Sequence, residues 1–273
     1  MFSNDCSLIL SWLKSPSSVT RPHISEHHHV VDLPIVRYDP KGGHRTLDLM
    51  RWGLVPYWAK DIKIGFSTIN AQAETVDTKP AFRDAFKRRR CLVPIEAFYE
   101  WKKLGPKEKQ PYAFALADRG LMALAGLWEN WKSPAEEWVR SFTIVTTTPN
   151  ALCAEIHDRM PVVLPEEAWS MWLGEEPVEA DSLKDLLAPY PAQGMTMWPV
   201  DKRVGNVRNN DPSLQSRSPT NARKVAAGMP PAVLRPRLFY APNANVQRLH
   251  FDQMSTKRSG FSERPWSRRM ISF

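Results

Sequence analysis

The chain has 273 residues, of which 42% are hydrophobic and 11 are tryptophan, which is enough for a large globular core. It contains no apolar run of about 18 residues and no secretory signal, so we expect no membrane segment and a cytoplasmic protein. The three cysteines, Cys6, Cys91 and Cys153, lack metal-ligand spacing. The residues of the 27–29 histidine run point in different directions without acidic partners, so the sequence predicts no metal and no cofactor.

The net charge of +8 comes from one end of the chain. Residues 215–273 hold 11 Lys/Arg and 2 Asp/Glu, which leaves 26 basic (37 − 11) and 27 acidic (29 − 2) residues elsewhere. Net charge is therefore no sign that the folded part binds nucleic acid, and the run KRRR at 87–90 is either a solvated helix end or a local phosphate contact. Composition predicts an atypical segment 1–33, a folded domain 34–214, and a basic, disordered tail 215–273.

The first half of the predicted domain is a hairpin followed by a helix. Strands at 33–39 and 46–54 flank the turn PKGG at 40–43. Two phenylalanines four residues apart, after a proline suited to a first helical turn, predict an amphipathic helix in 79–90. A buried strand, CLVP at 91–94, then follows.

The second half is predicted from similar local signals. Segments 111–117 and 121–131 are interpreted as another hairpin, and the threonine-rich strand 141–147 as leading into a helix with Thr148 as its N-cap. After these elements come a strand, turn and helix in 162–173, a helix in 181–189, and a final short strand in 196–214.

The segment FYEW at 98–101 sets one carboxylate among three aromatic rings. Loss of water favours the protonated carboxyl group, so Glu100 is a candidate for a raised pKa and for proton transfer near neutral pH. The alternative is an ordinary strand whose glutamate faces solvent beside Lys102 and Lys103.

Three further side chains are candidates on local grounds. Asn70, between Ile69 and Ala71, is either a structural turn residue or a positioned hydrogen-bond donor. His157 stands at a helix end, where Asp158 and Arg159 are available to orient it, or where it is simply a hydrogen-bonded structural residue. Trp52 precedes the turn at 55–57, and an exposed ring there would stack on bases whereas a buried one would belong to the core.

Eight sequence blocks follow one another in a recognisable order. They are WGLVPYWAKD (52–61), INAQAET (69–75), KPAFR (79–83), RRCLVPIEAFYEW (89–101), AGLWE (125–129), FTIVTT (142–147), IHDRMPVVL (156–164) and VGNVRNNDPSL (204–214). This ordered set resembles the SRAP family, the SOS-response-associated peptidase-like proteins also called abasic-site processing proteins. The resemblance implies one α+β domain with a β-barrel-like core, peripheral helices, and a cleft that binds single-stranded DNA containing an abasic site.

The resemblance also implies roles for individual residues. Asn70 would orient the reacting terminus, Glu100 would take a proton from the attacking amine, and His157 would move the proton that opens the abasic sugar. These three are the expected catalytic residues. Trp52 and Trp101 match ring positions beside the DNA, where stacking contributes roughly 1–3 kcal/mol per base.

The beginning of the chain departs from the family pattern. Family members begin Met-Cys-Gly-Arg, and the cysteine closes a stable thiazolidine with the sugar aldehyde, whereas this chain begins Met1-Phe2-Ser3-Asn4. Cys6 is an internal thiol, which forms only a reversible hemithioacetal. Gln72 stands where the family has an arginine. We therefore expect the crosslinking nucleophile to be lost, and we hypothesise that both irregular ends come from a shifted reading frame.

Three functions are consistent with the sequence. The first is an abasic-site crosslinking protein that has lost its nucleophile. The second is a noncovalent single-stranded DNA binder with weak lyase activity, because β-elimination needs only an amine and a base. The third is a peptidase or other hydrolase with His157 as base, for which no nucleophile spacing gives separate support. The expected partner is abasic single-stranded DNA, bound by a monomer that joins the nucleoid after DNA damage.

Overall fold

The computed structural model describes residues 32–206, together with residues 209, 214, 216 and 271–272. All of them belong to one unit, Met1–Arg217 with Arg269–Phe273. The predicted segment 1–33 and tail 215–273, with Cys6 and the histidine run, lie almost wholly outside the described residues. Within the described part of the chain, no helix is long and apolar enough to cross a membrane.

Strands dominate the described residues, and the helices are short. In chain order the strands are β1 (Asp32–Asp39), β2 (His44–Trp52), β3 (Asn70–Gln72), β4 (Arg90–Ile95), β5 (Phe98–Lys103), β6 (Lys109–Leu116), β7 (Met122–Lys132), β8 (Trp138–Thr147), β9 (Met160–Pro161), β10 (Val163–Leu164), β11 (Met195–Pro199) and β12 (Ile271–Ser272). The α-helices are α1 (Arg83–Arg88), α2 (Trp169–Leu173) and α3 (Ala180–Asp185). Short 3-10 helices span Ile62–Ser67, Cys153–Glu155, Glu166–Ala168, Ala192–Gly194 and Lys202–Gly205.

Five strands close into a barrel. β1 and β2 form the predicted antiparallel hairpin, and the order β7-β4-β1-β2-β8 is closed by pairing of β7 with β8. β3 and β9 also pair with β8, and β10 pairs with β7. A second sheet has the order β11-β6-β5-β12. The predicted α+β domain with a barrel-like core is confirmed.

Alternating residues along the barrel strands divide the core into two clusters. One cluster, which includes Val93 and Ile144, continues into the second sheet through Phe98 and Phe114, whose stacked rings lie 5.1 Å apart. The other packs the opposite strand face against the helices, with Trp172 fully buried. The barrel is thus joined to the second sheet on one side and covered by helices on the other.

The basic run at 87–90 is only partly available to a ligand. Arg90 is 8% exposed, and its guanidinium donates to the carbonyl oxygens of Phe86 and Trp172, which fastens α1 to α2. Arg89 lies 2.6 Å from Glu129 in an ion pair. Half of the run is therefore structural, because charged side chains that are withdrawn from water need partners.

The predicted hairpin of segments 111–117 and 121–131 is wrong. β6 pairs with β5 and β11, whereas β7 pairs with β4, β8 and β10, so the intervening turn carries the chain from one sheet to the other. Arg119 adopts the left-handed conformation (φ 65°) in this turn, and its guanidinium lies 3.8 Å from the centre of the Trp198 ring. Turn residues mark a change of direction but do not select the partner strand.

The predicted helix after β8 is also wrong, because only the 3-10 turn Cys153–Glu155 forms. Asn150, not Thr148, holds its start: the Asn150 Oδ1 atom accepts from the Cys153 N–H at 2.9 Å, and its Nδ2 donates to the Tyr190 carbonyl oxygen. A side chain that binds these backbone groups stabilises a turn as an alternative to a helix. The short turn brings His157 back toward the end of β8.

Candidate functional site

A cleft opens at the carboxyl-terminal end of β8, where this strand has a neighbour on each side. β3 places Gln72 opposite Thr146, and β9 places Pro161 opposite the same residue. The cleft has a volume of about 300 Å³. Its lining includes Asn70, Gln72, Lys79, Thr146, His157 and Arg159. Asn70 and His157, both predicted from the sequence, are therefore brought together because Asn70 lies in β3, His157 lies shortly before β9, and both strands pair with β8.

Glu100 approaches this cleft from the second sheet. Its Oε2 atom lies 3.9 Å from the Nε2 atom of His157, and its side chain is 3% exposed against 38% for the imidazole. β5 alternates its faces, so Glu100 shares the inward face with Phe98. The carboxyl group is thus enclosed, and the histidine stands between it and the open cleft.

Burial raises the pKa of Glu100 to about 8, and the negative charge of Asp158 adds to the effect. The desolvation that the aromatic neighbours predicted is confirmed. The Oε1 atom of this carboxyl group has no hydrogen-bond partner among the described residues. A carboxyl group in this condition exchanges its proton near neutral pH, which suits general acid–base chemistry.

The imidazole of His157 is held through its other nitrogen. The backbone N–H of Arg159 donates to Nδ1 at 3.1 Å, so in the neutral ring the proton resides on Nε2, the atom that faces Glu100. When the ring is protonated, Nδ1–H can instead face the Asp158 carboxylate, 3.3 Å away. The backbone at Arg159 therefore sets which nitrogen delivers a proton.

Arg159 is itself clamped on the cleft wall. Its guanidinium makes two hydrogen bonds to the Glu74 carboxylate, at 2.7 and 3.0 Å, and donates to the Thr146 carbonyl oxygen at 2.6 Å. The hydrogen bond from Arg159 lowers the pKa of Glu74. Such bidentate geometry fixes a planar cation more firmly than a single contact does. The segment that carries His157 is anchored to β8 by this clamp.

Asn70 presents an unpaired acceptor to the cleft. Its Oδ1 atom is buried and has no hydrogen-bond partner among the described residues. A buried polar atom without a partner costs free energy, about 1–3 kcal/mol. The cost is removed when a ligand supplies a donor, so the geometry is suited to an N–H or O–H group entering the cleft.

The two tryptophans predicted to contact DNA occupy different places. The Trp52 ring donates its Nε1–H to the carbonyl oxygen of Ile69, one residue before Asn70, at 2.9 Å. Trp101 lies on the opposite face of β5 from Glu100 and lines a separate hollow of about 630 Å³. Lys107, Lys109 and Lys202 line the same hollow. The structure thus brings Trp52 close to the cleft and separates Trp101 from it.

The sequence predicted neither a role for Glu74 nor the position of Lys79 on the cleft wall. A signal was present, since polar and small apolar residues alternate from Asn70 to Glu74. Alternation of this kind places Asn70, Gln72 and Glu74 on one face of an extended chain. Lys79 was interpreted only as the approach to a helix, because the sequence does not show that its loop returns to the cleft.

Neither a metal nor a cysteine nucleophile is evident in the described part of the chain. No group of three or more His, Cys, Asp or Glu side chains there is arranged to hold a metal ion. Cys91 and Cys153 are both buried and free. Burial raises the pKa of both thiols, that of Cys153 to about 12, and the charge of Glu100 contributes at Cys153. These thiols remain protonated near neutral pH, so they are poor nucleophiles.

The sequence matches the family described as SOS response associated peptidase (SRAP) over residues 17–207. It is 45% identical over 173 residues to abasic site processing protein YoqW of Bacillus subtilis (strain 168), an alignment covering 63% of this chain and 77% of that protein. It is 32% identical over 231 residues to abasic site processing protein HMCES of Xenopus tropicalis, covering 76% of this chain and 65% of that protein.

A solved structure supports the same assignment. A crystal structure of a protein from Bacteroides thetaiotaomicron superimposes with a TM-score of 0.63 and 27% sequence identity. The superposition covers 69% of this chain and 82% of that one. Because the family match spans more than half of the sequence and includes the barrel, the cleft and strands β5, β6 and β11 of the second sheet, the chain belongs to the SOS response associated peptidase (SRAP) family.

Proposed function

We propose that this protein processes abasic sites in single-stranded DNA, with the sugar bound in the cleft at Asn70 and His157. The observation that carries the proposal is the enclosed Glu100, whose pKa is raised to about 8, at 3.9 Å from His157 beside that cleft. Relatives named abasic site processing proteins support the same substrate. Such a site needs proton transfer but neither a metal nor a redox group.

The chemistry begins with opening of the abasic sugar. The closed sugar is a hemiacetal, and its ring oxygen must gain a proton as the aldehyde forms. His157 in its imidazolium form delivers the Nε2 proton to that oxygen and returns to the neutral ring, while the C1′ hydroxyl group gives its proton to water. Glu100 in its ionised form takes a proton from the amine that attacks the aldehyde and returns it when the linkage reverses. Asn70 Oδ1 accepts a hydrogen bond from the attacking amine.

Recognition of the strand is assigned to aromatic and basic groups around the two hollows. Trp52 and Trp101 stack on bases flanking the lesion, and Lys107, Lys109 and Lys202 near Trp101 face the phosphates. Single strands suit this arrangement because unpaired bases expose their faces to such rings. The protein is proposed to act as a monomer in the compartment that holds the chromosome.

A crosslinking experiment tests the proposal. The wild-type protein and a variant rebuilt to begin Met-Cys-Gly-Arg are each mixed with single-stranded DNA bearing one abasic site, and heat-stable adducts are separated on a denaturing gel. We expect the rebuilt protein to form an adduct with abasic DNA and none with undamaged DNA. The same protein carrying Glu100→Gln should form much less of the adduct. Undamaged DNA of the same sequence is the control. Absence of an adduct and of any preference for abasic DNA in both proteins would contradict the proposal.

The peptidase interpretation gains no support from the described residues. A peptidase using His157 as base needs a nucleophile beside it, and the nearby thiol of Cys153 is 1% exposed with a raised pKa. We expect no cleavage of a generic peptide pool that depends on His157. Cleavage that disappears in His157→Ala would restore the peptidase interpretation.

A further inference from the structure

Lys79 places a primary amine on the wall of the cleft. Its backbone is anchored in a turn: the Lys79 N–H donates to the Thr75 carbonyl oxygen at 2.9 Å, and its own carbonyl oxygen accepts from Phe82 and Arg83. The side chain is exposed and lines the cleft that also contains Asn70. The anchored backbone fixes the position of Lys79 on the cleft wall, and the exposed side chain leaves its amine free to move across the opening.

The ammonium group of Lys79 is not engaged elsewhere. Among the residues that the structure describes, it makes no hydrogen bond and no ion pair, whereas nearby Lys184 lies 2.8 Å from Asp77. Two acceptors are also without partners in the described part of the chain: Oδ1 of Asn70, which lines the same cleft, and Oε1 of Glu100, which is buried beside His157. The site thus combines acceptors that lack donors with an amine that lacks acceptors.

We propose that Lys79 Nζ forms an imine with the aldehyde carbon of the abasic sugar and that this imine leads to cleavage of the DNA strand. The inference rests on the proposed function, because it requires the sugar to lie in the same cleft. It assigns the amine of the lyase reaction to a lysine of the folded domain.

The reaction balances without a redox partner. The unprotonated amine attacks the C1′ aldehyde carbon, a C–N bond forms, and the carbonyl oxygen is protonated and leaves as water, giving an iminium ion. A base then removes a proton from C2′, and the C3′–O bond breaks, so that the 3′ phosphate leaves with the electron pair. Hydrolysis of the unsaturated imine returns the free amine of Lys79 and an unsaturated aldehyde on the DNA.

The neighbouring groups provide the proton transfers for these steps. His157 donates from Nε2 to the departing hydroxyl group, and Glu100 in its ionised form removes the C2′ proton. Asn70 Oδ1 accepts a hydrogen bond from the attacking nitrogen, which orients its lone pair. Each group then has a step that matches its position around the cleft.

Reductive trapping tests this assignment. The full-length protein is incubated with sodium cyanoborohydride and single-stranded DNA carrying one abasic site, and the trapped adduct is mapped by mass spectrometry. Lys79→Arg keeps the charge but cannot form an imine, and we expect the trapped fraction and strand cleavage to fall at least about tenfold. The matched control is Lys87→Arg on α1, which lines a different hollow and should trap DNA like the wild type.

A second probe separates this inference from the proposed function. DNA containing a tetrahydrofuran analogue has the shape of an abasic site but cannot open to an aldehyde, so fluorescence anisotropy with it measures recognition alone. We expect preferential binding of this DNA by both the wild type and Lys79→Arg. An adduct at Lys79 supports the inference. Undiminished trapping by Lys79→Arg, or an adduct mapped to another amine, overturns it while the binding preference stands, and loss of that preference overturns both proposals.

Discussion

The carboxyl group of Glu100 lies 3.9 Å from the imidazole of His157, although Glu100 belongs to a strand of the second sheet and His157 to the loop before β9. Neither strand pairing nor sequence proximity connects them. They meet because β5 belongs to the second sheet and the segment before β9 returns to the end of β8. The carboxyl group of Glu100 is buried, and the imidazole of His157 beside it is partly exposed. Protons can therefore pass between the enclosed carboxyl group and the cleft.

The raised pKa of Glu100 predicts a pH dependence of stability. Its pKa rises from 4.5 to about 8 on folding, so the folded protein holds a proton that the unfolded chain has lost between these values. The stability from this protonated group is fully present below pH 4.5 and is lost as the pH rises through 8. Relative to Glu100→Gln, we expect the free energy of unfolding to fall by up to about 1.4 kcal/mol per pH unit in this window.

Urea denaturation at several pH values measures this difference. The control is Glu137→Gln, which removes an exposed carboxylate and should follow the wild-type pH dependence. The window of titration runs from about pH 5 to about pH 8. If the free energies of unfolding of Glu100→Gln and the wild type differ by a constant amount across this window, Glu100 does not carry the predicted proton.

His157 is predicted to affect the rate of reaction rather than binding. His157→Ala removes the Nε2 proton donor, and loss of a general acid lowers rates by about 10²–10⁴-fold. We expect the rate of reductive trapping with abasic DNA to fall in this range while affinity for the tetrahydrofuran analogue stays close to the wild type. A variant that loses affinity but reacts at the normal rate once saturated would show that His157 only positions the DNA.

Trp101 is predicted to affect binding rather than rate. Its ring lies on the opposite face of β5 from Glu100, so its proposed contact with the DNA lies away from the reacting sugar. Trp101→Ala should weaken binding of abasic and undamaged single strands alike by about 1–3 kcal/mol, roughly 5- to 150-fold, measured by fluorescence anisotropy. Trp138→Ala removes another exposed ring, 68% accessible at the start of β8, and is the control expected to bind normally. Equal affinities of both variants and the wild type would remove Trp101 from the DNA surface.

Gly53 is predicted to be required for the loop that leads to the cleft. Its φ is +106°, and a Cβ atom there would lie 2.5 Å from the carbonyl oxygen of Gly65. Gly53→Ala should therefore destabilise the protein by about 2 kcal/mol or more in urea denaturation. Gly105→Ala is the control, because nothing lies within 4 Å of its added Cβ, and we expect a change below about 0.5 kcal/mol. Equal stabilities of the two variants would contradict the close approach of Gly53 to Gly65.

Local signals in the sequence predict several of the elements and the environment of Glu100. The hairpin of β1 and β2 follows from alternating apolar residues around a Pro-Lys-Gly-Gly turn, and these signals act between close neighbours in the chain. The aromatic residues beside Glu100 predicted its desolvation, which burial confirms. Catalytic roles for Asn70, Glu100 and His157 remain predictions that the experiments above address.

Which elements meet depends on packing between segments that are far apart in the chain. Turn residues at 118–120 could not show that β6 and β7 enter different sheets, because partner choice depends on long-range packing. The same limit hid the clamp between Glu74 and Arg159 and the place of Lys79 on the cleft wall. Composition and spacing describe what each segment prefers, whereas the meeting of Lys79 with His157 in one cleft, and of His157 with Glu100, arises from contacts between distant segments that form only when the barrel closes.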